Sequence, residues 1–368
     1  MIVNANFFKR NWHIFELKSS IKLTYSMKKY LFTLLILSFI SQTFAQKGTA
    51  FLQTGNLRTV FDLAKAQNKN VFLEVYAPTC HVCNAFKPTF ELSQVGNYYN
   101  QNFISYKLDI TTPEGTAFLK KQNLYILSTP TLLFFDKEVK LMHISILGEN
   151  NNSGQVLIEA ATKALNPSLR TSAYKPSYRG GNRETNFLIE YGLISRIMRD
   201  TVDNISVMNE YAKKIPKSQY GNNTNFLLLQ KVVIDDENAI FKAMMNNLNS
   251  FYAKNDKKLV NQTAENIIMY SLYSSRGMRY STTKINTVRA NLVKLGVDKN
   301  SIDGRLWREE SKAYFRENQP AKAMVVLGKL IGAKTDKASY TYLSNFVKSS
   351  TSDKNALAMA AQWAAKGK

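Results

Sequence analysis

The tetrapeptide Cys80-His81-Val82-Cys83 constrains this chain more than any other feature of its sequence. It directly follows an apolar, β-branched run at residues 71–76 and opens an amphipathic segment. At such a strand-to-helix junction, the first sulfur lies beside free backbone N–H groups and the positive end of a helix dipole, which favour the reactive thiolate. The second sulfur, one turn on, is close enough to displace a mixed disulfide formed at the first. The pattern therefore predicts a reversible redox switch.

A structural disulfide is the alternative for this pair, which comprises the only two cysteines in the 368 residues. A loop of two residues restricts the unfolded chain very little, so such a cross-link would add almost nothing to stability. Redox chemistry is the better explanation.

An export signal is predicted at residues 27–45. Basic Lys28 and Lys29 precede the apolar run 31–40, and small residues end at Ala45, which predicts cleavage before Gln46. Residues 1–26 form an extra upstream segment, so Met27 is an alternative start. A retained membrane anchor is the alternative reading of the run, which is short for a span of about 20 residues. We expect an exported protein of the periplasm or cell envelope of a Gram-negative-type bacterium, with no stable membrane span after cleavage.

The formal charge of the chain is +22. Such a charge is compatible with nucleic-acid binding, but the lysines are scattered rather than gathered in a run, and an exported protein rarely meets nucleic acid. A basic, solvated surface, or association with an anionic envelope surface, is the better explanation, and we expect no nucleic-acid partner.

Strand and helix patterns alternate in the first half of the mature chain, assigned to a domain at residues 46–166. The predicted elements are helix 55–66, strand 71–76, helix 82–97 with a kink at Pro88, strand 103–109, helix 112–122, a hairpin of strands 131–135 and 142–147, and helix 155–165. Strands alternating with helices and then a hairpin favour an α/β fold with a mixed sheet.

The second half has a different character. Residues 167–183 are rich in proline, glycine and serine, which predicts a linker. Beyond it, apolar residues recur at spacings of three and four, which predicts an all-α domain of helical hairpins at residues 184–368. The apolar residues between 187 and 215 form one such stripe. Either one long helix or two helices, broken near 200–204, would explain it. The array is repeat-like but has no clean 34-residue period, and such arrays often present a groove to a protein partner.

The first half resembles the thioredoxin-like superfamily over residues 50–165. Four features match the family pattern at the expected positions along the chain. They are the Cys80–Cys83 motif, Pro88 eight residues after the first cysteine, Thr129-Pro130 at the entry to an apolar strand, and Glu74 with Lys107. The family kinks its active-site helix at the corresponding proline, has a cis-proline before a core strand, and buries an acid accompanied by a lysine.

The resemblance implies a role for each of these residues. Cys80 is expected to be the attacking thiolate and Cys83 the buried resolving thiol. Glu74, with Lys107 beside it, is expected to exchange a proton with Cys83, or else to form a salt bridge without a kinetic role. Thr129, followed by a cis Pro130, is expected to expose its backbone for pairing with a substrate segment, the alternative being an ordinary trans turn proline.

The dipeptide between the cysteines and the residue before them depart from the family. Thr79 replaces the usual tryptophan, and it is expected to line the substrate surface with His81 and Val82. Reducing members carry glycine-proline, and oxidases and isomerases carry histidine at the second position, whereas His81 is at the first. A cationic His81 would favour the thiolate and raise the reduction potential. The direction of electron flow therefore stays open.

Zinc is the rival explanation for the cysteines. Only His81 and His143 could join them in the mature chain, and His81 lies between the two sulfurs, where it cannot easily complete a tetrahedron. His143 is expected to be a partly exposed strand residue. We therefore expect no metal and no cofactor other than the redox-active disulfide.

Two functions from different classes follow. The first is a thiol–disulfide oxidoreductase that acts on protein thiols and disulfides, uses an unidentified redox partner, and selects a client or envelope protein through its helical half. The second is a non-catalytic binding or scaffold protein of the envelope, in which the thioredoxin-like half is a docking module.

Overall fold

A computed structural model describes residues 48–53 and 55–368. The predicted signal at 27–45 and the upstream segment lie outside these residues. No helix in this described part is both long enough and apolar enough to cross a membrane.

The first half folds as a four-stranded mixed sheet between helices. Its elements are α1 (Leu57–Gln67), β1 (Asn70–Tyr76), α2 (His81–Phe90), α3 (Ser93–Asn102), β2 (Phe103–Asp109), α4 (Pro113–Lys121), β3 (Thr131–Phe135), β4 (Leu141–Ile146) and α5 (Gly154–Leu165). The strand order is β2-β1-β3-β4, with β1 parallel to β2 and the other neighbours antiparallel. The predicted α/β fold with a mixed sheet is confirmed.

Alternating side chains of the strands divide the core into two layers. Val71, Leu73 and Val75 of β1 pack with α1 and α4 on one face. Phe72 lies on the other face, in an aromatic cluster with helices α2, α3 and α5. The period of two along β1 thus buries both faces of the strand.

The predicted helix 82–97 is wrong in its extent. It is two helices, because Leu92 adopts an extended conformation (φ −61°, ψ 130°) between α2 and α3. Pro88 lies inside the last turn of α2.

The segment 167–183 contains a helix where we predicted only a linker. Helix α6 (Thr171–Arg179) buries Thr171 and Tyr174, and it packs against β4. The Thr171 hydroxyl oxygen accepts a hydrogen bond from the backbone N–H of Ile144 (2.9 Å), so this helix satisfies one backbone donor of the edge strand. The sequence did not predict this helix because the segment is rich in proline and serine. Pro176 nevertheless lies inside the helix.

The remainder of the described chain is helical, as predicted. Its helices are α7 (Thr185–Ile197), α8 (Thr201–Lys214), α9 (Asn223–Lys231), α10 (Ala239–Asn246), α11 (Leu248–Tyr252), α12 (Lys257–Leu272), α13 (Thr282–Lys294), α14 (Lys299–Arg316), α15 (Pro320–Gly328), α16 (Lys337–Ser350) and α17 (Lys354–Lys366). The stripe at 187–215 is two helices, since Arg199 (φ 56°) breaks it.

Two hydrophobic clusters stabilise the helical half. The larger extends from α6 into α14, and the smaller joins the end of α14 to α17. The loop before α10 buries Asp235 and Asp236, which form ion pairs with Arg276 (2.7 Å) and Lys284 (2.8 Å). Such buried carboxylates need these partners, because an unpaired buried charge is very costly.

Candidate active site

The cysteine pair lies where β1 leads into α2. Cys80 is the N-cap of α2, and its Sγ accepts the backbone N–H of Cys83 at an N···S distance of 3.0 Å. The two sulfurs form a disulfide. Cys80 is half-buried, whereas Cys83 is only 5% exposed. After reduction, the same N–H group and the helix dipole would stabilise a thiolate at Cys80 rather than at Cys83.

The loop that precedes β3 meets this disulfide. The carbonyl oxygen of Thr129 lies 3.4 Å from Cys80 Sγ, and the Thr129–Pro130 peptide bond is cis. Thr129 is half-buried and Pro130 is buried. The fold therefore brings together two segments that are 49 residues apart in sequence.

The three other residues predicted to bind substrate differ in their surroundings. Thr79 and His81 are exposed at the rim of the site. Val82 is half-buried and packs against the aromatic core under α2, so part of its side chain faces inward. The His81 ring is hydrogen-bonded to the Glu149 carboxyl group, a contact that the sequence did not predict.

Glu74 and Lys107 pair in the sheet. They are register partners of β1 and β2, and Glu74 Oε2 lies 3.0 Å from Lys107 Nζ. Glu74 is 1% exposed, and burial raises the pKa of its carboxyl above the ordinary value, against the opposing effect of Lys107. Glu74 is two residues from Phe72 in β1, so both side chains point to the same face of the sheet, the one that α2 covers.

Sequence reasoning missed the loop that holds α2 from the other side. Residues 148–153 follow β4, and Asn152 Nδ2 donates to the carbonyl of Ala85 in α2 (2.7 Å). Thr89 Oγ1 donates to Asn152 Oδ1 (2.5 Å). With Glu149 on His81, this polar loop holds both ends of the active-site helix. The run of asparagines at 150–152 was the available signal, since such side chains commonly bond to backbone groups.

His143 is buried, and the expectation of a partly exposed strand residue was wrong. It is 2% exposed beneath α6, and its Nδ1 lies 3.4 Å from the hydroxyl of Thr171. Burial lowers its pKa to about 4, with a smaller contribution from Lys163. Within residues 48–53 and 55–368, no three His, Cys, Asp or Glu side chains are grouped so that they could hold a metal ion.

Comparison with known proteins gives three findings. A family model described as a thioredoxin-like domain matches residues 57–151. The chain is 36% identical over 78 residues to the thiol:disulfide interchange protein DsbD of Pseudoalteromonas atlantica, which is 21% of this chain and 13% of that protein. It therefore spans about an eighth of that relative's length.

A solution structure of a candidate disulphide isomerase from Bacteroides thetaiotaomicron is also similar, with 22% identity and a TM-score of 0.29. The match covers 33% of this chain and 95% of that one. At this TM-score the likeness is too low to carry an argument.

Proposed function

Residues 57–151 of this chain are a thioredoxin-like domain, and on that premise we propose that the protein is an exported thiol–disulfide oxidoreductase acting on the cysteines of other proteins. One observation carries the proposal. A disulfide between a half-buried and a buried cysteine caps a helix, beside the Thr129 carbonyl. The relative named for thiol:disulfide interchange supports the same chemistry.

In the reducing direction, the Cys80 thiolate attacks one sulfur of a client disulfide. A bond forms between Cys80 Sγ and that sulfur, and the other client sulfur leaves as a thiolate, which takes up a proton. Cys83 then loses its proton and attacks Cys80 Sγ. This step forms the intramolecular disulfide and releases the second client thiolate, so two electrons pass from the protein to the client.

The oxidising direction runs through the same steps in reverse. A client thiolate attacks Cys80 Sγ and displaces Cys83 as a thiolate, which forms a mixed disulfide. A second client thiolate then attacks the client sulfur of that mixed disulfide and displaces Cys80, so the client leaves with a disulfide and the protein keeps two thiols. Either direction requires a second thiol or disulfide partner to restore the starting state. The geometry serves both, since the N–H group of Cys83 stabilises the Cys80 thiolate as nucleophile and as leaving group.

Glu74 supplies the proton transfer in this proposal. Resolution requires Cys83 to lose a proton while it is shielded from bulk water. A carboxyl with a raised pKa, on the sheet face beneath α2, is suited to accept that proton and to return it later. Lys107 keeps the carboxylate form accessible by pairing with it.

The helical half is proposed to select the client. The dithiol chemistry uses only α2, the Thr129 loop and the Glu74–Lys107 pair of the sheet, so the helices from α7 onward are not needed for it. Export is proposed from the signal pattern at 27–45, and it would place the cysteines in a compartment where disulfides form and persist.

Trapping of mixed disulfides tests the proposal. Cys83→Ser should accumulate mixed disulfides with client proteins through Cys80, because the resolving thiol is missing. Cys80→Ser is the matched control and should trap few, because Cys83 is buried. Equal trapping by both variants would show that the roles are wrong. No trapping by either would favour the non-catalytic binding protein.

A further inference from the structure

An arginine–tyrosine surface lies where the thioredoxin-like domain meets the helical half. We call it the Tyr125 surface, and its members are Tyr125, Arg196, Arg199 and Tyr270. The Cζ atom of Arg196 lies 4.9 Å from the ring centroid of Tyr125 and 4.0 Å from that of Tyr270. Arg199 Cζ lies 5.7 Å from the Tyr125 ring. The two tyrosine hydroxyls are 3.4 Å apart.

A backbone hydrogen bond holds the surface in place. The backbone N–H of Tyr125 donates to the carbonyl of Ile197 (2.7 Å), which fixes the loop before β3 against the end of α7. Tyr125 and Tyr270 nevertheless remain 38% and 39% exposed, and Arg199 is also exposed. Aromatic and arginine side chains held in this way are typical of the residues that dominate protein recognition.

Both guanidinium groups lack an acidic partner. Among residues 48–53 and 55–368, no carboxylate lies within ion-pairing distance of Arg196 or Arg199, whereas Arg276, Arg289 and Arg305 all have one. The face of a tyrosine ring attracts the charge of a guanidinium, but it does not accept hydrogen bonds from the N–H groups as a carboxylate does. The position at the end of α7 explains why cations are favoured there, but it leaves these donors available to a carboxylate from another molecule.

The surface lies on the same loop as the residue that contacts Cys80. Tyr125 and Thr129 belong to one loop and are four residues apart, so their Cα atoms are separated by at most about 14 Å. The Thr129 carbonyl in turn lies 3.4 Å from Cys80 Sγ. A client segment extended along this loop, at about 3.3 Å per residue, would bring a side chain about three to six residues from its cysteine onto the surface.

We propose that the Tyr125 surface recognises an aspartate or glutamate of the client protein, placed a few residues from the cysteine that reacts with Cys80. This inference rests on the proposed oxidoreductase function and adds to it a class of client. The carboxylate would accept hydrogen bonds from Arg196 and Arg199, and the neighbouring client side chain would contact the tyrosine rings. The formal net charge of the chain, +22, also favours association with acidic clients.

Peptide kinetics with the full-length Cys83→Ser variant test the inference. Each peptide has one cysteine, present as a mixed disulfide with 5-thio-2-nitrobenzoate, and either glutamate or glutamine four residues away on both sides. The Cys80 thiolate attacks the peptide sulfur, forms the protein–peptide disulfide and releases the coloured thiolate. We expect the glutamate peptide to react about fivefold faster, as about 1 kcal/mol for a partly exposed ion pair implies.

Arg199→Gln should reduce this preference to less than twofold, and Arg196→Gln should do the same. Lys348→Gln is the matched control, because it removes one positive charge from an exposed site on α16 and should leave the preference unchanged. A glutamate peptide with its acids twelve residues away should react like the glutamine peptide. Equal and measurable rates for the two original peptides, or a preference that survives both arginine substitutions, would overturn the inference.

Peptides with serine in place of cysteine separate this inference from the redox function. Their binding, followed by fluorescence anisotropy of an attached dye, does not require disulfide chemistry. Tighter binding of the glutamate peptide, lost in Arg199→Gln, would support the surface even if no peptide disulfide reacted. Absence of any preference in binding and in rate would exclude it even if Cys80 reacts rapidly with small disulfides.

Discussion

At the scale of single residues, the buried position of Glu74 makes its charged form unfavourable for stability. The carboxyl is buried in the sheet, and its pKa is raised despite Lys107 at 3.0 Å. A carboxyl with a raised pKa in the folded state binds more protons there than in the unfolded chain. Its stabilising contribution is therefore complete at low pH and is lost as pH rises through about 4.5 and above.

We expect Glu74→Gln to raise the free energy of unfolding by about 1 to 2 kcal/mol at pH 7 and to have little effect at pH 4. Cys83 can report this in a Cys80→Ser background, since it is then the only cysteine and is buried until the domain unfolds. Its reaction with 4,4′-dithiodipyridine, a thiol reagent that also reacts at low pH, is measured against urea concentration. Lys107→Gln should have the opposite effect, because it leaves the buried carboxylate unpaired. An equal loss of stability at both pH values in Glu74→Gln would contradict this account.

At the scale of elements, the junction of β4 with α6 contains the buried His143. Its neutral form is favoured, with a pKa of about 4 against 6.5 in the unfolded chain. The unfolded chain therefore binds the proton more tightly, and stability is lost as pH falls from 6.5 to about 4. The facing groups are the Thr171 hydroxyl from α6 and the Lys163 ammonium from α5.

We expect the wild-type protein to lose about 3 kcal/mol through His143 between pH 6.5 and 4. His143→Gln should remove this part of the pH dependence, because glutamine can bond to Thr171 but does not titrate. The measurement is urea unfolding of the thioredoxin-like domain at several pH values. Lys120→Gln is the control, since it replaces an exposed side chain on α4 and leaves His143 and Thr171 in place, so the slope should stay as it is. A slope that His143→Gln leaves unchanged would show that His143 is not its source.

At the scale of the whole molecule, the two halves share core residues. Ile197 belongs to α7, yet it is completely buried in the layer formed by α1, α4 and one face of the sheet. Hydrogen bonds from Tyr125 and Asn123 to the carbonyls of Ile197 and Met198 lie beside it. A fragment of residues 46–166 keeps the dithiol and the sheet, but it loses Ile197 and the Thr171 cap on Ile144.

We expect Ile197→Ala to destabilise the thioredoxin-like domain by about 2 to 4 kcal/mol, the usual cost of a cavity at a buried isoleucine. In the Cys80→Ser background, exposure of Cys83 to alkylation reports this domain, whereas Trp307 and Trp363 fluorescence reports the smaller helical cluster. Val202→Ala, at an exposed site on α8, should change neither signal. The 46–166 fragment should reduce insulin but unfold at a lower urea concentration than the full chain. An equally stable fragment would show that Ile197 adds nothing to the domain.

Much of the thioredoxin-like half was determined by the sequence alone, because its signals are local. The apolar run of β1, the Thr112 cap with Pro113 at the start of α4 and the Asp136 turn between β3 and β4 each act through neighbouring residues. The cysteine motif, and the helix N-terminus that activates it, are local for the same reason. These features could be predicted with their boundaries correct to within a few residues.

Only the tertiary structure decided which segments distant in sequence contact one another. The burial of His143, the pairing of His81 with Glu149, the packing of α6 on β4 and the entry of Ile197 into the sheet core all join residues far apart in sequence. No periodicity specifies such contacts, since a half-apolar helix can pack on any complementary surface. The Tyr125 surface belongs to the same class, because it exists only where the loop before β3 meets the ends of α7 and α12.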